Sequence, residues 1–164
     1  MPAAMEIGLV ALVCLAAWSD LRTRRIPNSI TVTGAAAGLV LHVVYGSVSG
    51  AVQSLAGAAF GVAIFLAFYI AGGMGAGDVK LFGAVGAFAG PQALVVVFVF
   101  TGLLGGIAAV VLAWWRGRLR QTLMRTREIL AGMGRFHVAS TDSLRLPYGA
   151  VIAGGTLVSL VVIG

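Results

Sequence analysis

Acidic residues and cysteines are almost absent from this chain. Only five of its 164 residues are Asp or Glu, and only one is Cys. A lone cysteine excludes a disulfide framework and a thiolate cluster for structural zinc, and packing accounts for Cys14 because it lies within an apolar run. Charged residues make up 10% of the chain, whereas hydrophobic residues make up 60%. One soluble core of this size cannot bury so much apolar surface, which predicts a polytopic membrane protein.

Apolar runs separated by Gly, Pro and charged residues predict an all-α bundle of about six transmembrane helices. They cover about 3–19, 29–45, 51–71, 79–90, 92–115 and 147–164. The fourth run is too short to cross a bilayer unaided, so it either continues past Gly90 and Pro91 or forms a half-helix buried among its neighbours. Small residues at helical spacing, such as Gly57 and Gly61, favour close helix packing.

Basic residues occur beside alternate connections between these runs. They are Arg22, Arg24 and Arg25, then Lys80, then the arginines of segment 116–145. The connections at 46–50 and 90–91 carry no charge. Because short cytoplasmic loops are rich in Lys and Arg, six spans place every basic connection in the cytoplasm and both termini outside.

The last connection, at about 116–146, predicts a basic amphipathic helix on the cytoplasmic leaflet. Leu119, Leu123, Leu130 and Met133 recur at roughly helical spacing, with most arginines at other positions. Such a helix anchors the chain on anionic lipids. We therefore attribute the net charge of +6 to lipid contact and not to nucleic acid. The whole chain, 1–164, is expected to form a single membrane-embedded domain.

Two of the five acidic residues need a particular explanation. Glu6 lies near the outer end of the first run, whereas Glu128 and Asp142 lie in the basic segment, where salt bridges account for them. Asp20 ends the first run, where the helix macrodipole disfavours a carboxylate by about 0.3–1 kcal/mol. Pairing with a neighbouring arginine is one explanation. Asp78 follows a run of glycines and can cap the next helix.

Asp20 and Asp78 both lie at cytoplasmic helix ends in this layout, which favours a shared chemical role. Two carboxylates that share one proton can act as base and acid on a water molecule, as in aspartic peptidases. The alternative is a transporter component that uses the pair as a proton relay or cation site. A noncatalytic assembly subunit is a third possibility. His42 and His137 lie on opposite sides, so no metal site is predicted, and no cofactor motif is present.

Three blocks of sequence resemble the type IV prepilin peptidases, which share a Gly-x-Gly-Asp signature. They are 19–28 (Ser-Asp-Leu-Arg-Thr-Arg-Arg-Ile-Pro-Asn), 75–81 (Gly-Ala-Gly-Asp-Val-Lys-Leu) and 147–149 (Pro-Tyr-Gly). The resemblance implies that Asp20 and Asp78 are the catalytic dyad of an aspartic endopeptidase in the bacterial inner membrane. The substrate is then a prepilin, whose short basic leader is removed on the cytoplasmic side.

The resemblance also assigns further residues and a subtype. Gly75 and Gly77 are expected to let the loop admit an extended substrate, and Pro27 with Asn28 to begin the second span. Lys80 is expected either to tune the dyad or to hold a carbonyl. Larger family members carry an added segment with paired cysteines and also methylate the new amino terminus. This chain lacks those cysteines, which implies a peptidase without methyltransferase activity, as in the small enzymes that process Flp (tight-adherence) pilins.

Overall fold

The computed structural model describes residues 1–115 and 148–163, and these contain helices and no strand. The helices are α1 (Ala3–Thr23), α2 (Asn28–Ile70), α3 (Ala76–Trp115) and α4 (Tyr148–Ile163). The all-α prediction is therefore confirmed. The amphipathic helix predicted at about 116–146 lies outside the described residues, as do Glu128, His137 and Asp142.

α2 consists of two helical segments that meet at Ser47. The backbone of Ser47 is not helical (φ 52°, ψ −134°), and the chain folds back there. A Cβ atom built on Gly50 would lie 2.7 Å from the carbonyl carbon of His42, so glycine is needed for this close approach. The runs predicted at 29–45 and 51–71 are both helical. The prediction of a connecting loop at 46–50 was wrong, because the chain reverses direction through one non-helical residue, Ser47.

α3 is divided in the same way at Gly90, where φ is 71°. Glycine adopts this left-handed region readily, and Pro91 has no N–H with which to continue the preceding helix. The two segments pack against each other, with the rings of Phe82 and Phe98 in an edge-to-face contact at 6.3 Å between centroids. The fourth run therefore ends at Gly90 instead of continuing through it. It begins at Ala76, earlier than predicted.

Within residues 1–115 and 148–163, three helices are long and apolar enough to cross a membrane. They are Ala3–Thr23, Asn28–Ile70 and Ala76–Leu112, and the shorter helix Tyr148–Val162 is also apolar. With the breaks at Ser47 and Gly90, the described part of the chain contains six helical segments. The number of six membrane crossings stays a prediction.

The first segment of α3 occupies the centre of the bundle. Every residue from 81 to 88 is buried, which requires apolar side chains on all sides of the helix. α2 packs against it over the largest interface, where Gly57 meets the backbone of Gly86 and Gly61 meets that of Phe82. The fourth run is thus buried among its neighbours and ends at Gly90, and its crossing of the membrane stays a prediction. This central segment carries Asp78 at its start.

Candidate active site

Asp20 lies in the last turn of α1 and is buried, with 7% of its surface exposed. The helix continues beyond it to Thr23, so the prediction that Asp20 closes the helix was wrong by one turn. Its backbone oxygen accepts the N–H of Arg24 at 2.8 Å. Arg24 adopts the left-handed conformation and ends the helix. The side chain of Asp20 thus points into the bundle from a well-defined helix end.

The carboxylate of Asp20 is stabilised by the amino terminus of another helix. Its Oδ2 accepts a hydrogen bond of 2.8 Å from the backbone N–H of Gly149, the second residue of α4. Helix amino termini carry free N–H groups and partial positive charge, which favour a carboxylate. Among the described residues, neither Arg24 nor Arg25 forms an ion pair with Asp20. In this part of the chain the α4 terminus, and not Arg24 or Arg25, therefore compensates the unfavourable dipole of α1.

Asp78 is the third residue of α3 and is also buried, with 9% of its surface exposed. Its Oδ2 accepts a hydrogen bond of 3.0 Å from the N–H of Gly75, the residue just before the helix. This contact is the half of a capping box in which a side chain reaches back from the first turn. Asp78 therefore caps α3 from within the first turn and not from the cap position itself. The macrodipole of α3 favours a carboxylate there.

The α2 hairpin brings the two carboxylates to the same end of the bundle. α1 arrives at that end with Asp20, α2 leaves and returns, and α3 starts there with Asp78. Asp20 lies close enough for its charge to act on Asp78. Each carboxylate has one backbone N–H donor and, within 1–115 and 148–163, no cationic partner. Two such neighbouring acids can share a proton, which suits acid and base work on one water molecule.

The glycine run before α3 packs against the connection between α1 and α2. A Cβ atom on Gly77 would lie 3.3 Å from Cβ of Ile26 and 3.7 Å from its backbone oxygen. A Cβ atom on Gly75 would lie 3.3 Å from Oδ2 of Asp78. The space beside these glycines is thus occupied, in this structure, by residues of the protein itself, Ile26 and Asp78. Room for a substrate beside them stays a prediction.

Lys80 joins the two sequence blocks that carry the aspartates. Its Nζ donates a hydrogen bond of 2.9 Å to Oδ1 of Asn28. Asn28 is the first residue of α2 and follows Pro27 at the cap position, so these two residues begin α2 as predicted. The acceptor is an amide oxygen of this protein itself, so both roles left open for Lys80 stay predictions. The bond ties the start of α2 to the start of α3.

Sequence reasoning assigned no role to Tyr148 and Gly149, which the structure places at the site. The backbone N–H of Gly149 donates a hydrogen bond to Asp20. Tyr148 is half-buried and lies close enough to Asp78 for the two side chains to interact electrostatically. The available signal was the Pro-Tyr-Gly block at 147–149, which contributed only to the family resemblance.

Other polar residues have structural contacts away from the carboxylate pair. His42 Nε2 lies 2.9 Å from the backbone oxygen of Phe88, at the opposite end of the bundle. The hydroxyl of Ser19 donates to the backbone oxygen of Arg25 at 2.9 Å and closes the turn after α1. In the part of the chain that the structure describes, no three His, Cys, Asp or Glu residues cluster so that they could hold a metal ion.

A comparison with protein families supplies an independent result. The model of the type IV leader peptidase family matches residues 7–110, more than half of the chain. The matched range includes Asp20 and Asp78 but ends before α4. Comparisons with curated proteins and with solved structures gave no match. With its long apolar helices, the chain is a membrane protein, and it belongs to the type IV leader peptidase family of proteases.

Proposed function

We propose that this chain is an aspartic endopeptidase that removes the leader peptide from prepilin-like precursors, with Asp20 and Asp78 as its catalytic pair. One observation carries the proposal: two buried carboxylates from remote parts of the chain lie together at one end of the bundle. Burying acids without a cation is unfavourable. Among residues 1–115 and 148–163, each is instead held by one backbone N–H, and a carboxylate has further lone pairs that can accept from a water molecule or a substrate.

In the proposed reaction the pair holds one proton between the two carboxylates. The ionised aspartate takes a proton from water as the water oxygen attacks the carbonyl carbon of the scissile peptide bond. The protonated aspartate gives its proton to the carbonyl oxygen, which produces a neutral tetrahedral diol. As the diol collapses, one of its hydroxyls returns a proton to the ionised aspartate and re-forms the carbonyl, the C–N bond breaks, and the nitrogen takes the proton of the other aspartate. The products are a new carboxyl group and a new amino terminus.

The site is proposed to face the cytoplasm from the bacterial inner membrane. Basic residues support this side, because they lie at the helix ends around the carboxylates and cytoplasmic loops are rich in Lys and Arg. They are Arg22, Arg24, Arg25 and Lys80. A site at this depth suits a substrate that is cut between a polar leader and an apolar helix. Because Cys14 is the only cysteine, we propose cleavage without methylation.

The transporter alternative receives no support from the interior of the spans. Apart from the aspartate pair, the buried polar side chains in the described ranges are hydroxyls. They are Thr31, Ser54, Thr101, Thr156 and Ser159. A proton relay would continue with ionisable groups along the spans, and no carboxylate extends the pair inward among these residues.

Co-expression with a prepilin-like precursor of the Flp type tests the proposal. The mass of the pilin reports leader removal, and an unmethylated amino terminus is expected. Asp20→Asn and Asp78→Asn should each abolish cleavage while the protein still accumulates in the membrane. Glu6→Gln is the matched control, because it also removes one carboxylate but near the other end of α1, where Glu6 pairs with the terminal amine. Substantial cleavage by either Asp variant would reject the catalytic pair.

A further inference from the structure

α4 contacts the carboxylate pair although it lies beyond the matched residues 7–110. The bond from the N–H of Gly149 to Asp20 is buried, and the two residues are separated by 129 positions. It is the one hydrogen bond that the Asp20 carboxylate makes within the described part of the chain. α4 therefore supplies the group that fixes this side chain.

Because Gly149 has no side chain, the side chain of Asp20 can lie directly against the backbone of α4. A Cβ atom built on Gly149 would lie 2.9 Å from both Cβ and Oδ2 of Asp20. Real Cβ atoms essentially never come this close to another atom, so any larger residue would displace the aspartate. Gly149 lies in regular helix and does not have a positive φ. Space, and not backbone conformation, is the reason that glycine is required.

Buried contacts further along α4 hold its amino terminus in place. Ile152 is fully buried in the core cluster. One turn beyond, a Cβ atom on Gly155 would lie 2.7 Å from Cα of Thr101 in α3, so the two helices are in backbone contact. α4 also packs extensively against α1, the helix that carries Asp20. The position of the Gly149 N–H is thus fixed by packing on both sides.

We propose that Gly149 is the positioning residue for Asp20. Its N–H orients the carboxylate, and its missing side chain lets the carboxylate remain beside α4. The inference rests on the proposed function, because it assumes that the orientation of Asp20 limits the reaction rate. Displacement of a reacting group by about 1 Å can lower a rate about 100-fold. Gly149 acts through Asp20 and is not itself a catalytic residue.

The kinetics of Gly149→Ala separate positioning from general stability. We expect kcat for precursor cleavage to fall between about 10- and 100-fold, with KM and the unfolding midpoint close to the values of the unmodified protein. Gly154→Ala in the same helix is the control, since its new methyl group would meet only the tip of Leu104, at 3.2 Å. An unchanged kcat for Gly149→Ala, or a loss matched by Gly154→Ala, would overturn the inference.

A cross-link tests the contact without relying on activity. In a Cys14→Ala background, Asp20→Cys with Gly149→Cys should form a disulfide on mild oxidation, because a shift of less than about 1 Å brings their Cβ atoms to disulfide distance. Asp20→Cys with Gly154→Cys should not. Failure of the first pair to cross-link in folded protein would overturn the inference. If Asp20→Asn or Asp78→Asn cleaved normally, the proposed function would fail instead, so the two failures are distinguishable.

Discussion

The hydrogen bond between Ser54 and Ala87 is expected to stabilise the break in α3, and its contribution to the free energy of unfolding can be predicted. In an unbroken helix the oxygen of Ala87 would accept the N–H of residue 91. That residue is Pro91, which has no N–H. The hydroxyl of Ser54 donates to this oxygen instead, at 2.9 Å. His42 Nε2 lies 2.9 Å from the oxygen of the next residue, Phe88. Two side chains of α2 thus satisfy the carbonyls at the end of the central segment.

Ser54→Ala removes one of these partners from a place that water does not reach, since Ser54 is 1% exposed. Hydrogen bonds between membrane helices contribute about 0.6–2 kcal/mol, and a buried carbonyl left without a partner costs about 1–3 kcal/mol. We therefore expect the free energy of unfolding to fall by about 1–2 kcal/mol. Ser54→Cys keeps a weak donor and should lose less.

Reversible unfolding of the purified protein in mixed detergent micelles measures this difference. Ser49→Ala is the control, because its exposed hydroxyl donates to the oxygen of Gly46 at 2.7 Å beside the turn in α2. The loss there should stay below about 0.5 kcal/mol. The reasoning would be refuted if Ser54→Ala destabilised the protein no more than Ser49→Ala does.

Two further predictions concern the contact between Lys80 and Asn28 and the topology of the chain in the membrane. Lys80→Met and Asn28→Ala remove the same 2.9 Å hydrogen bond, so each should lower the cleavage rate by about 2- to 5-fold. The double variant should lose no more than one single variant, and a multiplied loss would show that the two side chains act separately. In a topology assay, tags at both termini should be periplasmic and a tag between α1 and α2 cytoplasmic. A cytoplasmic tag at either terminus would overturn the arrangement of six spans.

Local features of the sequence were sufficient for much of the fold. Apolar runs identify the helices, and Gly90 followed by Pro91 marks a break because both constraints act within the backbone itself. The turn in α2 could not be placed in the same way. It depends on Ser47, an ordinary residue forced to φ 52°, and on Gly50 packing against a neighbouring backbone. Such strain follows from tertiary contacts, which composition does not reveal.

The candidate site was predictable in part for a similar reason. Asp20 and Asp78 stand out because acids are rare in the chain and because six spans place both at one side. The partner of Asp20 was not predictable, since its bond to Gly149 depends on how α4 packs. Pairing with Arg24 or Arg25, the neighbouring arginines, is not observed among the described residues. The contact between Lys80 and Asn28 likewise forms only after α2 and α3 have packed.

The most direct test of the central claim is the rate constant for precursor cleavage by purified Asp20→Asn, Asp78→Asn and the double variant. Groups that act as one unit show losses that do not multiply. The account predicts that each single change lowers the rate at least about 1,000-fold and that the double change lowers it no further. A single variant with substantial activity, or a double variant whose loss is the product of the two, would contradict a shared catalytic pair.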